Sequence, residues 1–170
     1  MKFYLIAAAD EKMGIGKNHK LPWNLPTDLK FFHDTTIGTG RNAVIMGRTT
    51  WESIPEKFRP LASRINIIMT RSGALELPHG AQPAASLEEA LAKAQAQNPN
   101  EIFVIGGAQI FAEAISDLRC AGLYITEVSG DFKCDTFFPK IDPREFKEIS
   151  RSEKYNENDI SFCFVKYQKT

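Results

Sequence analysis

The sequence predicts an α/β fold: one domain over residues 1–170, built on a doubly wound, mostly parallel sheet with helices on both faces and an antiparallel hairpin at its C-terminal edge. Three observations carry that expectation. Short, uninterrupted apolar runs recur along the chain, as in strands covered on both faces. Helix patterns with recognisable start signals stand between those runs, the order that builds crossover units. The last part of the chain changes character, to segments at 146–153 and 160–168 joined across Tyr155-Asn156-Glu157-Asn158-Asp159, which reads as an antiparallel pair.

The first apolar run covers residues 3–9 and opens the core. It resembles a short signal segment, but Asp10 and Glu11 follow it, and it is far shorter than the roughly 18 residues of a membrane span. Residues 10–24 carry glycine and proline interruptions with little periodicity, so they predict a long functional loop. In Leu21-Pro22-Trp23-Asn24-Leu25-Pro26-Thr27-Asp28, Pro26 suits a first helical turn because its missing N–H is unpaired there in any case. A helix over 26–36 then sets Asp28 four residues before Phe32, with Leu29 beside them, and so presents a carboxylate on an apolar face.

Ala43-Val44-Ile45-Met46 predicts a second strand, and Gly47-Arg48-Thr49-Thr50 leads from it into a short helix through Trp51 and Ser53. A third strand, Arg64 to Thr70, runs into Arg71-Ser72-Gly73. Ser86-Leu87-Glu88-Glu89 is a capping box ahead of the stripe Leu87, Ala90, Leu91 and Ala94. Ile102-Phe103-Val104-Ile105 makes a fourth strand, with Gly106-Gly107 between it and a helix from Ala108. Leu123-Tyr124-Ile125-Thr126-Glu127-Val128 makes a fifth.

Composition narrows the function. Lys plus Arg and Asp plus Glu each number 21 and are dispersed, so no basic field for a nucleic-acid backbone exists. Cys120, Cys134 and Cys163 are odd in number and widely spaced, which predicts reduced thiols and a cytoplasmic setting. His19, His33 and His79 are isolated, so no metal site is expected. Gly16-Lys17 continues into Asn18 and so fails the P-loop pattern, and neither glycine pair completes GxGxxG. No exposed apolar stripe is evident, and a monomer is expected.

What remains is one carboxylate near Phe32, two arginines placed after separate strands, and a glycine pair at a helix start. Strand ends that meet helix starts gather free N–H groups and bind anions. Taken singly, each feature has a plain structural reading: Asp28 as an exposed helix-start acid, Arg48 as a surface arginine on a capped helix, Gly106-Gly107 as a tight turn.

Their company is more specific. Gly14-Ile15-Gly16-Lys17-Asn18, Leu21-Pro22-Trp23 with Asp28, Val44-Ile45-Met46-Gly47-Arg48-Thr49-Thr50-Trp51-Glu52-Ser53-Ile54, Ile105-Gly106-Gly107 and Asp135-Thr136-Phe137-Phe138-Pro139 occur in that order. Over essentially its whole length the chain resembles the dihydrofolate reductases, of bacterial type with vertebrate-like features in the Gly14 to Asn18 loop. The resemblance implies an NADPH-dependent reductase that takes dihydrofolate to tetrahydrofolate in one-carbon metabolism and binds antifolate inhibitors. By matching positions it implies that Asp28 and Thr126 hold the pterin and that the loop with Leu21 and Trp23 closes over the reacting ring. Ile6, Ala7, Phe32, Ile54, Leu61, Ile105 and Phe111 would line the substrate cleft, with Arg64, assisted by Arg59, pairing the substrate's glutamate. Ala8, Gly14, Ile15 and Gly16 would flank the nicotinamide. Gly47, Thr49, Thr50, Ile105, Gly106, Gly107, Ala108, Gln109 and Ile110 would take the pyrophosphate region, and Arg48, Thr70, Arg71 and Ser72 the 2′-phosphate and adenosine.

The chain departs from the family pattern at three positions. Phe111 stands where the family usually has tyrosine, Cys134 where bacterial members often have glycine, and Glu113 is acidic close to the expected adenosine. Two other readings stay open: a riboflavin-pathway reductase of the same fold, and a non-catalytic pterin- or nucleotide-binding protein. The length of this chain leads to the expectation that it carries no fused thymidylate synthase.

Overall fold

Every central apolar run becomes a strand, and the alternation of side chains along a strand divides each run between two sheet faces. The computed structural model describes residues 1–170. In chain order the elements are β1 (Phe3–Ala9), β2 (Gly14–Gly16), α1 (Pro26–Ile37), β3 (Asn42–Gly47), α2 (Arg48–Ser53), β4 (Arg64–Met69), β5 (Ala81–Ala84) and α3 (Leu87–Gln95). They continue with β6 (Ile102–Gly106), α4 (Ala108–Ser116), β7 (Cys120–Val128), β8 (Thr136–Phe137), β9 (Phe146–Arg151), β10 (Tyr155–Glu157) and β11 (Ile160–Lys169).

The main sheet runs β10-β11-β7-β1-β6-β3-β4-β5. From β7 to β5 all neighbours are parallel, while β11 is antiparallel to β7 and carries β9 and β10 on its outer side. This is the predicted single α/β domain with an antiparallel edge. Phe3, Leu5, Ile45, Ile67, Val104, Leu123 and Ile125 pack under α3 and α4 in a core of 20 buried residues. The intervening side chains Ile6, Val44, Met46, Ile68 and Phe103 turn to the other face, where they and Trp51 make a core of only 6, flanked by α1 and α2.

The capping box forms with one change: Ser86 Oγ accepts the Glu89 N–H at 3.1 Å, but Glu89 reaches back to the Ala85 N–H, at 2.8 Å, rather than to Ser86. Four short strands lie outside the sequence expectation. β2 and β8 pair across more than a hundred residues within segments dense in glycine or polar residues, so the predicted loop 10–24 is partly strand. β5 contains Pro83 and survives as an edge, where a missing N–H costs no ladder bond. β10 occupies part of the expected C-terminal connection and pairs residue by residue with β11. Arg48 and the two threonines lie inside α2 rather than ahead of it, and Leu29 is 53% exposed, so the apolar face of α1 is carried by Phe31 and Phe32 instead.

Candidate active site

Helix α1 starts with Pro26 in its first turn and brings Asp28 against β7. Asp28 is 7% exposed, and its Oδ1 accepts the Thr126 hydroxyl at 2.6 Å. Burial raises the proton affinity of this carboxyl most; the Thr126 hydrogen bond lowers it, the negative charge of Glu157 raises it further, and the net direction is upward. A buried acid with one hydroxyl donor retains capacity to accept a charge-assisted bond.

Around it the small apolar cluster supplies walls. Ile6 belongs to it, and Phe32, Ile54, Leu61 and Ile105 pack on its rim. Ala7 packs on the opposite face with the large core, so only its backbone serves this side. Phe111 is buried at 2% in that same large core, its ring 4.8 Å from that of Phe138. It therefore sits behind the sheet rather than on the open cleft.

Arg64 stands at the far end, half-buried. Its guanidinium donates to the Ala62 carbonyl at 2.9 Å and to the Thr36 hydroxyl at 2.8 Å, with no carboxylate partner. Burial alone lowers its proton affinity from the ordinary value. A half-buried cation without a counter-ion is suited to a ligand carboxylate. Arg59 lies over the Trp51 ring, 5.5 Å from its centroid, and its Nε has no protein acceptor.

A second locus lies at the aligned C-terminal ends of β6, β3 and β4, where Met46 pairs with Gly106 and Gly47 with Met69. Gly106 has φ +147°, and a Cβ there would stand 2.7 Å from Thr50 Oγ1; one at Gly47 would stand 2.9 Å from Ile110. These glycines keep backbone N–H groups open at the start of α4, whose Ala108 is half-buried and Gln109 exposed. Thr49, Arg48, Arg71 and Ser72 are exposed and Thr70 is half-buried at the rim. Arg48 Nε is bound by Glu52 at 2.7 Å, so its fork is partly engaged. Glu113 is exposed.

The loop 10–24 is tied to the segment around β8. Asn18 N–H donates to Asp135 Oδ2 at 2.9 Å, and Asp135 N–H to the Gly16 carbonyl at 3.0 Å. Trp23 is 7% exposed, edge-on to Phe132, and its indole N–H has no protein acceptor. Leu21 is 48% exposed, Ala8 packs with the Trp23 cluster, and Ile15 packs with the large core. Cys134 fills the space above Gly14, where a Cβ would lie 2.6 Å from its sulfur.

No group of three or more His, Cys, Asp or Glu side chains is gathered to hold a metal. No helix is long and apolar enough to cross a membrane. Sequence reasoning missed Glu157, whose oxygens reach Thr27 beside Asp28. The one available sign was Leu25 at the helix start, a residue that cannot cap.

The arrangement sets a buried acid on the small apolar cluster and a glycine pair at the ends of neighbouring strands, and known proteins are similar in sequence. The chain is 39% identical to a dihydrofolate reductase of Heliothis virescens and 41% identical to that of Drosophila melanogaster, covering 99% of this chain and 98% of each relative. It is 42% identical to bifunctional dihydrofolate reductase-thymidylate synthase 1 of Arabidopsis thaliana over 97% of this chain and 34% of the relative. It thus spans about a third of the length of the plant bifunctional relatives it matches. A family model described as Dihydrofolate reductase matches residues 2–169, and the chain belongs to that family.

Proposed function

We propose that this protein reduces 7,8-dihydrofolate to 5,6,7,8-tetrahydrofolate with NADPH, as a cytoplasmic monomer acting in one-carbon supply. The reaction adds a hydride at the pterin C6 and a proton at N5. The observation that carries the reading is the Asp28–Thr126 pair, a buried carboxyl of raised proton affinity beside an apolar wall. Asp28 hydrogen-bonds the pterin's amino and ring nitrogens, its proton supporting protonation of N5, and Thr126 fixes the orientation of the carboxyl. General acid assistance of this kind contributes about 10²- to 10⁴-fold in rate.

Ile6, Phe32, Ile54, Leu61 and Ile105 take the flat rings, and the uncompensated guanidinium of Arg64 takes the substrate's glutamate carboxylate. NADPH, when bound, supplies the hydride. The glycine cradle fits such a group: Gly106, Gly107 and Thr50 receive its pyrophosphate, and Arg71, which makes no ion pair of its own, receives the 2′-phosphate together with Arg48, Thr70 and Ser72. Ala8 and residues 14–16 border the nicotinamide, and the loop with Leu21 and Trp23 excludes water from it, as lids of this kind do. Protonated diaminopyrimidine antifolates bind by the same pairing with Asp28.

The test follows NADPH oxidation with dihydrofolate in the parent, in Asp28→Asn and in Arg71→Ala. Turnover falls about 10²-fold or more in the first. In the second, KM for NADPH rises while KM for NADH stays near its parent value. Normal turnover in Asp28→Asn would move the acid elsewhere, and absent turnover in the parent with tight NADPH binding would favour a binding protein.

A further inference from the structure

Helix α1 has no side-chain cap of its own. Leu25 stands at the N-cap, where Ser, Thr, Asp or Asn ordinarily accepts a free N–H, and Pro26 removes one donor. The cap comes from the end of β10, 130 residues away in sequence: Glu157 Oε1 accepts the Thr27 N–H at 2.9 Å, and its other oxygen accepts the Thr27 hydroxyl. Asn158 Nδ2 fastens the same corner by donating to the Asn24 carbonyl at 2.7 Å. One turn further on, the Phe31 ring stacks on Phe164 with centroids 4.0 Å apart. Asp28 follows Thr27 directly and rides on the turn that Glu157 holds.

Two carboxylates therefore serve one helix end, Asp28 buried and Glu157 half-buried. The positive end of the helix favours both, while their mutual repulsion opposes ionisation of the more buried one. The other titratable groups nearby are engaged elsewhere. On α1, Lys30 and His33 are exposed and bind Asp34. On β7, Glu127 pairs with Arg151 and Tyr167, and on β11 Lys166 lies over the rings of Tyr4 and Tyr124. The charge that acts on Asp28 together with burial is that of Glu157.

We propose that Glu157 is a positioning residue for Asp28: through Thr27 it fixes the first turn of α1, and it stands as a second negative charge beside the acid that faces the substrate. The inference rests on the proposed role of Asp28 in turnover, and it adds a charge from the C-terminal hairpin that extends the pH range which burial gives that role. With Glu157 ionised, Asp28 keeps its proton to higher pH, and turnover holds to higher pH with it.

Glu157→Gln separates charge from shape, because its amide oxygen still accepts the Thr27 N–H and its amino group donates to the Thr27 hydroxyl. The Asp28 carboxyl is followed by NMR in ligand-free protein carrying isotope-labelled aspartate, and turnover with dihydrofolate and NADPH is followed against pH. In Glu157→Gln the Asp28 titration moves to lower pH, the alkaline decline of turnover moves with it, and KM for dihydrofolate stays within about twofold. Thr27→Val keeps the charge and leaves the titration in place. Glu157→Ala loses charge and cap together, so Tm also falls by about 2–4 °C.

An Asp28 titration unchanged in Glu157→Gln overturns the proposal, as does one that moves equally in Thr27→Val. If the titration moves as expected while Asp28→Asn turns over normally, the role of Asp28 fails and its coupling to Glu157 stands.

Discussion

Two buried carboxylates flank the loop 10–24, Asp10 at its start and Asp28 in the helix that follows it, and the protein treats them in opposite ways. Asp10 is 4% exposed and Asp28 7%, so exposure does not separate them. Burial is the largest influence on both and pushes both toward the protonated form. At Asp10 it is outweighed. Oδ1 accepts the N–H groups of Lys12 and Gly14 at 2.9 and 2.8 Å, and Oδ2 accepts Phe132 N–H at 3.0 Å and the Cys134 thiol at 3.7 Å, so the carboxyl lies below its ordinary value. At Asp28 burial is opposed by a single hydroxyl, which does not overcome it, and the charge of Glu157 adds to the upward shift. A carboxylate whose oxygens are filled by backbone is part of the scaffold; one left under-filled in a cleft has its bonding capacity available to a ligand.

The sharpest way to break this comparison is to make the same substitution at both sites. Asp28→Asn should lower turnover about 10²- to 10⁴-fold while leaving the ligand-free protein at least as stable as the parent, since it removes a buried charge with one partner. Asp10→Asn should do the reverse. Its amide nitrogen would face N–H donors, and losing hydrogen bonds to a charged acceptor costs about 1.5–3 kcal/mol. Tm should drop by several degrees while the chemical step is less affected than in Asp28→Asn. Thermal denaturation and steady-state kinetics on both variants test the contrast, and a stable Asp10→Asn protein would remove it.

The pH dependence of stability should carry opposite signs at the two sites. The folded-state proton affinity of Asp10 is depressed, so its contribution is present above the usual value of 3.8 and is lost as pH falls through the folded value. That of Asp28 is raised, so its contribution is complete below 3.8 and is lost as pH rises through the folded value. Urea denaturation against pH should therefore show the gap between parent and Asp10→Asn closing toward low pH. The advantage of Asp28→Asn should grow as pH rises from 3.8 to the folded-state value of Asp28 and level off above it. Parallel curves for the two variants would mean that their hydrogen bonding does not set the difference.

None of this contrast was legible in the sequence, where Asp10 reads as an acid after an apolar run and Asp28 as an acid in a first helical turn. The five central strands were legible because their apolar runs are long enough to be buried on both faces, and α1 and α3 because Pro26 and Ser86 mark their starts. β2, β5, β8 and β10 were not, being two to four residues long and specified by partners rather than by their own pattern. At the candidate site Asp28 and the glycine pair stand within the motifs that carry the resemblance and Arg64 comes by position matching alone, while Ala7 and Phe111, assigned by the same matching, turn their side chains into the core on the opposite face. The partners of Asp10 depend on a turn with Met13 at φ +63° and on a segment more than a hundred residues away, which periodicity cannot register.

The smallest expected effect sharpens what holds Asp10 low. Among its four donors the Cys134 thiol is the longest, at 3.7 Å, and S–H is a weak donor, so the three backbone N–H groups should account for nearly all of the depression. Cys134→Ser keeps the size that fills the space over Gly14 and replaces a weak donor with a stronger one. Stability should change by no more than about 0.5 kcal/mol, and the Asp10 carboxyl should titrate no higher than in the parent. A rise in that titration would show that the sulfur excludes water from the carboxylate rather than merely binding it, and the scaffold role of Asp10 would then depend on a side chain as well as on the backbone of the two loops it joins.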